Sequence, residues 1–141
     1  MRDGGRLFTV EPEAKHADFA ARTFEENGVA DRVSIMRTTA LEAIASLHRE
    51  HGDGSFDLIF ADAIKREYPD YWRACRSMIR RGGVFIADNA LGSGSWWIDE
   101  PGEQRAEWAG ADALNRMVCA DEEFDAAIVP IREGVLIARR R

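Results

Sequence analysis

Short apolar segments and amphipathic helical patterns alternate along this sequence, and that alternation limits the folds available to it. Apolar runs of strand length occur at 7–10, 33–36 and 56–61, and each is followed by a stretch whose apolar residues recur at helical spacing. The run 56–61 is almost wholly apolar, which is typical of a parallel strand covered by helices on both faces. The pattern therefore predicts an α/β fold with a mainly parallel sheet.

Two further helices are predicted beyond residue 61. The first opens at Pro69 and closes at Arg80-Arg81-Gly82-Gly83, before a strand at 84–87, and the second runs from about Gln104 to Ala120. Their predicted inward residues are Tyr71, Ala74, Cys75, Met78 and Ile79 for the first, and Trp108, Ala111, Leu114 and Val118 for the second.

The last two predicted strands, 126–129 and 135–138, are separated only by Pro130–Gly134. A parallel connection needs a crossover of a dozen or more residues, so we expect this pair to form an antiparallel hairpin on an otherwise parallel sheet. A chain of 141 residues is expected to form a single domain, 1–141.

Charge and composition argue against several classes of partner. The chain has 19 basic and 25 acidic residues and a net charge of −6. It therefore lacks the basic excess that is typical of proteins that bind nucleic acid or anionic membranes. Its longest apolar runs are of strand length, far below the ~20 residues that a membrane span needs. We expect no nucleic-acid partner, no membrane segment and a cytoplasmic location.

Polar residues follow three of the predicted parallel strands. Glu11 follows the first, Asp62 the third, and the pair Asp88-Asn89 the fourth. Ligands of open α/β sheets bind at the carboxyl ends of the strands, and carboxylate and amide oxygens are what Mg²⁺ prefers. We therefore take Asp62, Asp88 and Asn89 as candidate cation ligands. The alternative, in which each acidic residue caps the following helix, stays open.

Lys65 lies three residues after Asp62 and is one of only two lysines, against 17 arginines. Arginine cannot replace lysine as a base, whereas a lysine near cations can act as a general base. An exposed loop lysine without a role is the alternative. Adjacent Trp96 and Trp97, in the Gly- and Ser-rich loop after the fourth strand, are candidates to flank an aromatic substrate ring, with packing over the sheet edge as the alternative.

These residues resemble a known family, the cation-dependent O-methyltransferases of the catechol and caffeoyl-CoA type, which use S-adenosylmethionine (SAM). The resemblance covers nearly the whole chain, and the joint spacing of Asp-x-x-Lys and Asp-Asn is its most specific part. The matching segments are Gly5–Glu11, Phe56–Lys65 with Tyr68 and Tyr71, Gly82–Leu91, and a C-terminal set of Asn115, Asp121, Pro130 and Gly134–Arg139.

The resemblance implies a Rossmann-like methyltransferase sheet, with helices on both faces and a C-terminal antiparallel hairpin. The family's strand order is 3-2-1-4-5-7-6, and its first strand, with a Gly-rich turn, would precede residue 1 of this chain. That central strand is therefore expected to be missing here. Three outcomes are open: the strand at Leu7 pairs directly with the strand at Phe56, another chain fills the gap, or the isolated chain is unstable.

The resemblance also implies roles for individual residues. Glu11 would accept hydrogen bonds from the SAM ribose, Thr39 and Ala40 would lie along the adenine, and Asp62 would also approach the methionine end. Asp62, Asp88 and Asn89 would hold a divalent cation, most simply Mg²⁺. Lys65 would take the phenolic proton of a small aromatic substrate with adjacent hydroxyls.

Three functions remain open at this stage. The leading one is a cation-dependent O-methyltransferase, of which the chain as given is expected to be an inactive fragment. The second is a non-enzymatic remnant of the same fold that serves as an interaction module. Independently of the function, a homodimer is also left open. The third is a receiver-type signalling domain, because Phe56–Asp62 resembles a phosphorylated strand. The receiver pattern also needs an acidic pair and a final-strand lysine, for which the chain has only Glu11 and no lysine after Lys65.

Overall fold

A computed structural model describes residues 4–92 and 105–141 and separates the chain into two units, Met1–Ser46 and Leu47–Arg141. Each unit is described by itself below. The prediction of a single domain, 1–141, stays a prediction.

The first unit contains two parallel strands and a helix. Strand β1 (Leu7–Val10) pairs with β2 (Val33–Met36), and helix α1 (Ala14–Glu26) connects them. A 3₁₀ turn at Ala30–Arg32 precedes β2, and helix α2 (Ala40–His51) begins in this unit. The bounds of both strands match the prediction, and those of β1 are marked by Gly4-Gly5 before it and Pro12 after it.

The second unit is a four-stranded sheet with two helices. Its strands are β3 (Phe56–Ala61), β4 (Ile79–Ala87), β5 (Phe124–Val129) and β6 (Val135–Arg140), and its helices are α3 (Tyr68–Cys75) and α4 (Arg105–Cys119). The strand order is β3-β4-β6-β5. β3 and β4 are parallel, whereas β6 is antiparallel to both β4 and β5. The predicted α/β fold and C-terminal antiparallel hairpin are confirmed.

The strand order also agrees with the order that the resemblance implied. The order β2-β1 in one sheet corresponds to 3-2, and the order β3-β4-β6-β5 in the other corresponds to 4-5-7-6, so each sheet by itself follows its part of the family order. β1 and β3 belong to different sheets. The first of the three expected outcomes, direct pairing of these two strands, is therefore wrong.

The boundary between α3 and β4 corrects the sequence prediction. The helix ends at Cys75, a 3₁₀ turn covers Arg76–Met78, and the strand begins at Ile79 rather than at Val84. An irregularity makes this early start compatible with the sheet, because the register shifts from Phe56 opposite Ile79 to Leu58 opposite Val84. Gly82, inside that irregular stretch, has φ +77°, which glycine adopts without strain.

The core of the second unit also differs from the predicted stripes. Trp72, absent from the predicted stripe, is 2% exposed and packs edge-on against Phe85 and Phe124, with ring centroids 5.0 Å and 4.8 Å apart. Trp108, predicted to face inward, is 42% exposed. Gly110 takes an inward position on α4 instead.

One face of β3 remains exposed. Leu58 and Phe60 are 52% and 58% exposed, although the apolar run predicted cover on both faces. β3 is an edge strand of its sheet, and within the described part of the chain its paired neighbour is β4. None of the helices in residues 4–92 and 105–141 has the length and apolar character needed to cross a bilayer.

Candidate functional site

The carboxyl ends of β3 and β4 bring Asp62 and Asp88 to the same edge of the sheet. Ala61 lies opposite Ala87 in the parallel register, and the backbone N–H of Asp88 donates to the Ala61 carbonyl at 3.0 Å. Each aspartate is the next residue after its paired alanine. The structure therefore places the two predicted acidic ligands side by side, as the strand-end argument requires.

A buried tyrosine lies beneath these strand ends. Tyr68 is 1% exposed, and its hydroxyl lies 3.0 Å from the Ala61 carbonyl and 3.2 Å from the Asp88 carbonyl, to which it donates. Burial raises the pKa of Tyr68 strongly, and the negative charges of Asp62 and Asp88 raise it further. Tyr68 is therefore a permanent donor at neutral pH, and both carboxylates lie close enough to act on it.

Lys65 reaches the same edge from the 3₁₀ turn Lys65–Glu67. Its ammonium nitrogen lies 2.9 Å from Asp62 Oδ1 and 5.6 Å from the centroid of the Tyr68 ring. The Lys65 side chain is only 16% exposed, whereas that of Asp62 is 49% exposed. The alternative of an exposed loop lysine therefore does not describe this residue.

Asn89 follows with an unusual backbone conformation. Its φ of +53° lies in the left-handed region, which asparagine tolerates better than most residues. The loop after it is fastened to the β5–β6 connection, because Ala90 N–H donates to Gly134 O at 2.9 Å and Leu91 N–H donates to Glu133 O at 2.8 Å. The sheet and the hairpin thus fix the backbone that carries Asp88 and Asn89.

Three of the four predicted cofactor residues, Glu11, Thr39 and Ala40, belong to the first unit and lie near the beginnings of α1 and α2. Glu11 Oε1 accepts the N–H of Glu13 at 2.9 Å, just before α1, and lies 3.8 Å from His16 Nδ1. Glu11 thus bonds to the N-cap residue that precedes α1 and not to the free N–H groups of the first helical turn, so the capping alternative is not observed for Glu11. The N–H of Glu11 donates to Met36 O at 3.0 Å, so the carboxyl ends of β1 and β2 lie side by side.

Thr39 and Ala40 lie where α2 begins. Glu42 Oε2 accepts from the Thr39 hydroxyl at 2.8 Å, from the Thr39 N–H at 3.2 Å and from the Thr38 hydroxyl. Hydrogen bonds from Thr38 and then Thr39 lower the pKa of Glu42. Glu42 thus accepts the backbone N–H of Thr39, which is the glutamate half of a capping box, whereas the Thr39 hydroxyl donates to Glu42. The Thr39-x-x-Glu42 spacing was the signal that could have revealed it.

The structure divides the predicted site residues between its two units. Asp62, Lys65, Asp88 and Asn89 lie in the second unit and Glu11, Thr39 and Ala40 in the first. Trp96 and Trp97, with the rest of segment 93–104, lie outside the described residues.

Three residues near Lys65 were given no role from the sequence. Tyr68 fixes both strand ends, as described above. Glu107 on α4 accepts from Arg66, and Gly110 lies against the backbone of the Lys65–Glu67 turn. A glycine in the middle of a helical pattern was the available signal for Gly110, because it often marks a close approach.

Residues 4–92 and 105–141 contain no group of three or more His, Cys, Asp and Glu side chains that could hold a metal ion. The predicted set contains only two carboxylates, and its third member is the amide of Asn89. Its oxygen-only donors still suit a hard cation.

Comparison with known proteins gives one consistent result. Residues 1–141 match the O-methyltransferase family. A Mycobacterium tuberculosis protein with an O-methyltransferase name is 33% identical over 141 residues, which cover 99% of this chain and 60% of that protein. A catechol O-methyltransferase from Niastella koreensis is 34% identical over 125 residues, covering 89% of this chain and 55% of that enzyme.

Solved structures of O-methyltransferases are also similar to this chain. The O-methyltransferase from Bacillus cereus in complex with SAH has a TM-score of 0.85 and 26% identity, covering 98% of this chain and 64% of that one. TomG from Streptomyces achromogenes, an O-methyltransferase involved in tomaymycin synthesis and solved with SAM, has a TM-score of 0.82 and 28% identity, covering 96% of this chain and 62% of that one. The chain spans about 60% of the length of the relatives that it matches.

Proposed function

The chain belongs to the O-methyltransferase family, and we propose that the protein transfers a methyl group from SAM to a hydroxyl of a small aromatic acceptor with adjacent hydroxyls. The relatives are longer than this chain, and "complete enzyme" denotes the full-length protein, with any residues that it has beyond 1–141. The name of the Niastella relative supports the acceptor class, and the SAH and SAM in the two solved structures support the cofactor.

The observation that carries the proposal is the cluster at the ends of β3 and β4. The pairing of Ala61 with Ala87 sets Asp62 beside Asp88, and the Lys65 ammonium lies 2.9 Å from the Asp62 carboxylate. The position of the Lys65 ammonium against the Asp62 carboxylate supports a negatively charged sheet edge that would attract a cation.

The donor set fits a divalent cation held by Asp62, Asp88 and Asn89, with Mg²⁺ as the simplest choice. A bound divalent cation supplies charge stabilisation for an ionised hydroxyl and a fixed position for two adjacent oxygens. Asp62, Asp88 and Asn89 provide the oxygen ligands, and Tyr68 holds the strand ends that carry the two aspartates.

Once the Lys65 ammonium has lost a proton to solvent, its neutral Nζ accepts the proton of the acceptor hydroxyl, and the ammonium that forms is stabilised by Asp62 at 2.9 Å. The hydroxyl oxygen then forms a bond to the methyl carbon of SAM as the bond from that carbon to sulfur breaks. Orienting the two reactants for this in-line displacement supplies up to ~7–11 kcal/mol of the barrier. Asp62 would also approach the methionine end of SAM, and the flanking of the acceptor ring by Trp96 and Trp97 stays a prediction from the sequence.

In the first unit, Glu11 accepts hydrogen bonds from the SAM ribose hydroxyls, and Thr39 and Ala40 lie along the adenine. The position of Glu11 directly after β1 supports this role, because cofactors of such sheets bind at strand ends. The net charge of −6 supports a small-molecule partner rather than nucleic acid or a membrane. A cytoplasmic location belongs to the same proposal, and a homodimer stays an open alternative.

Manganese(II) binding to residues 1–141, followed by electron paramagnetic resonance, tests the cation site. We expect Asp88→Asn to weaken binding by about 100-fold or more, because even outer partners of metal ligands are worth ~10–100-fold. Asp70→Asn is the matched control, since Asp70 is 57% exposed and pairs with Arg73 on α3. Equal manganese affinities in the wild type and the Asp88 variant would contradict the site, as would a wild type that binds no manganese.

A further inference from the structure

Helix α4 lies directly against the backbone of the turn that carries Lys65. A Cβ atom added to Gly110 would lie 2.1 Å from Lys65 O and 2.5 Å from Arg66 Cα. Both atoms belong to the main chain, so no side chain could move aside to make room. Glycine is therefore the residue that lets α4 approach the Lys65–Glu67 turn this closely.

One helical turn earlier, Glu107 holds the same turn by charge. Its Oε1 accepts from the Arg66 guanidinium at 2.6 Å, and its Oε2 accepts from the Arg66 backbone N–H at 3.1 Å. Although burial acts to raise the pKa of Glu107, hydrogen bonds from the Arg66 side chain and backbone outweigh it, and the pKa is lowered. Glu107 is thus a charged acceptor at neutral pH, and charge-assisted hydrogen bonds are the stronger kind.

The contacts of α4 bear on Lys65 because they fix its own peptide group. The Gly110 contact is to the Lys65 carbonyl, and the Glu107 hydrogen bonds are to the next residue. From this fixed backbone the Lys65 side chain reaches Asp62 at 2.9 Å while only 16% exposed. A displacement of the turn would move the ammonium away from Asp62.

We propose that Gly110 and Glu107 are positioning residues, which hold the Lys65–Glu67 turn so that Lys65 stands against Asp62. The kinetic part of this inference rests on the proposed function, because there Lys65 is the base. The structural part does not, because the Lys65–Asp62 ion pair can be observed without any reaction.

The side-chain ammonium groups of lysine can be followed by ¹H–¹⁵N NMR, and only Lys15 and Lys65 contribute. In residues 1–141 we expect the Lys65 ammonium to exchange with water more slowly than that of exposed Lys15, because Lys65 is 16% exposed and bonded to Asp62. Gly110→Ala is expected to raise the Lys65 exchange rate about tenfold, as for the loss of a hydrogen bond to a charged group. Glu107→Gln keeps the shape but not the charge, and a smaller increase is expected. If Gly110→Ala does not fold, the Lys65 exchange rate in Glu107→Gln tests the positioning role by itself.

Ala113→Gly is the matched control, because it weakens the same helix without adding an atom near the turn. Lys65 exchange is expected to stay at the wild-type rate in this variant. If Ala113→Gly and Gly110→Ala accelerated Lys65 exchange equally, the proposal would be overturned, because the loss of helix stability alone would explain the faster exchange. Unchanged exchange in both Gly110→Ala and Glu107→Gln would overturn it too.

Kinetics of the complete enzyme separate this inference from the proposed function. A positioning role predicts that Gly110→Ala lowers kcat while KM for SAM changes little. Faster Lys65 exchange with an unchanged kcat would uphold the positioning of Lys65 and contradict its role as the base. Unchanged exchange with a lower kcat would contradict the positioning role.

Discussion

Replacing Lys65 by alanine in the complete enzyme is expected to lower kcat by ~10²–10⁴-fold, the range that a positioned general base supplies. The reason is the location of Lys65, which is largely buried and lies 2.9 Å from Asp62 at the edge where the acceptor hydroxyl is proposed to bind. The affinity for SAM should change little. Single-turnover transfer of a labelled methyl group and calorimetric titration with SAM measure the two quantities.

Lys15→Ala is the control for this substitution, because Lys15 is the only other lysine and is exposed on α1. It should leave both quantities unchanged. If Lys65→Ala lowered kcat and SAM affinity equally, Lys65 would be a binding residue rather than the base.

Trp72→Ala is expected to lower the free energy of unfolding of residues 1–141 by about 3–5 kcal/mol, the usual cost of removing a large buried aromatic side chain. Trp72 is 2% exposed and joins α3 to β4 and β5 through Phe85 and Phe124. Because domains of this size are stable by only ~5–15 kcal/mol, much of the chain should then be unfolded at modest urea concentrations. Urea unfolding followed by circular dichroism measures the change.

Trp108→Ala is the matched control, since Trp108 is 42% exposed. It should cost about 1 kcal/mol or less, as is usual for surface substitutions. A loss as large as that of Trp72→Ala would contradict the assignment of Trp72, rather than Trp108, to the core.

The strands could be predicted from the sequence where polar or turn-forming residues bound an apolar run on both sides. Leu7–Val10, Val33–Met36 and Phe56–Ala61 have the predicted bounds. The start of β4 could not be predicted in this way, because Cys75, Met78 and Ile79 also fit helical spacing. The irregular stretch that contains Gly82 and lets the strand begin at Ile79 is a property of its pairing with β3.

Trp108 shows why hydrophobic character alone does not give the orientation of a helix. Trp108 was predicted to face inward because it shares a stripe with Ala111 and Leu114. Instead α4 turns Glu107 and Gly110 toward the Lys65–Glu67 turn, which leaves Trp108 partly exposed.

At the candidate site, sequence reasoning identified the residues whose position depends on strand ends. Asp62 and Asp88 follow adjacent parallel strands, so their proximity follows from topology. The supporting contacts could not be foreseen in the same way. Arg66 and Glu107 are 41 positions apart, and their pairing depends on how α4 docks.

Transfer of a labelled methyl group from SAM to a catechol-type acceptor by the complete enzyme tests the central claim most directly. The account predicts labelled methyl ether in the presence of Mg²⁺, loss of transfer when a chelator is added, and recovery when Mg²⁺ is restored. Transfer at the same rate with and without the chelator would contradict the cation site. SAM binding without any transfer to an acceptor with adjacent hydroxyls would contradict the proposed reaction itself.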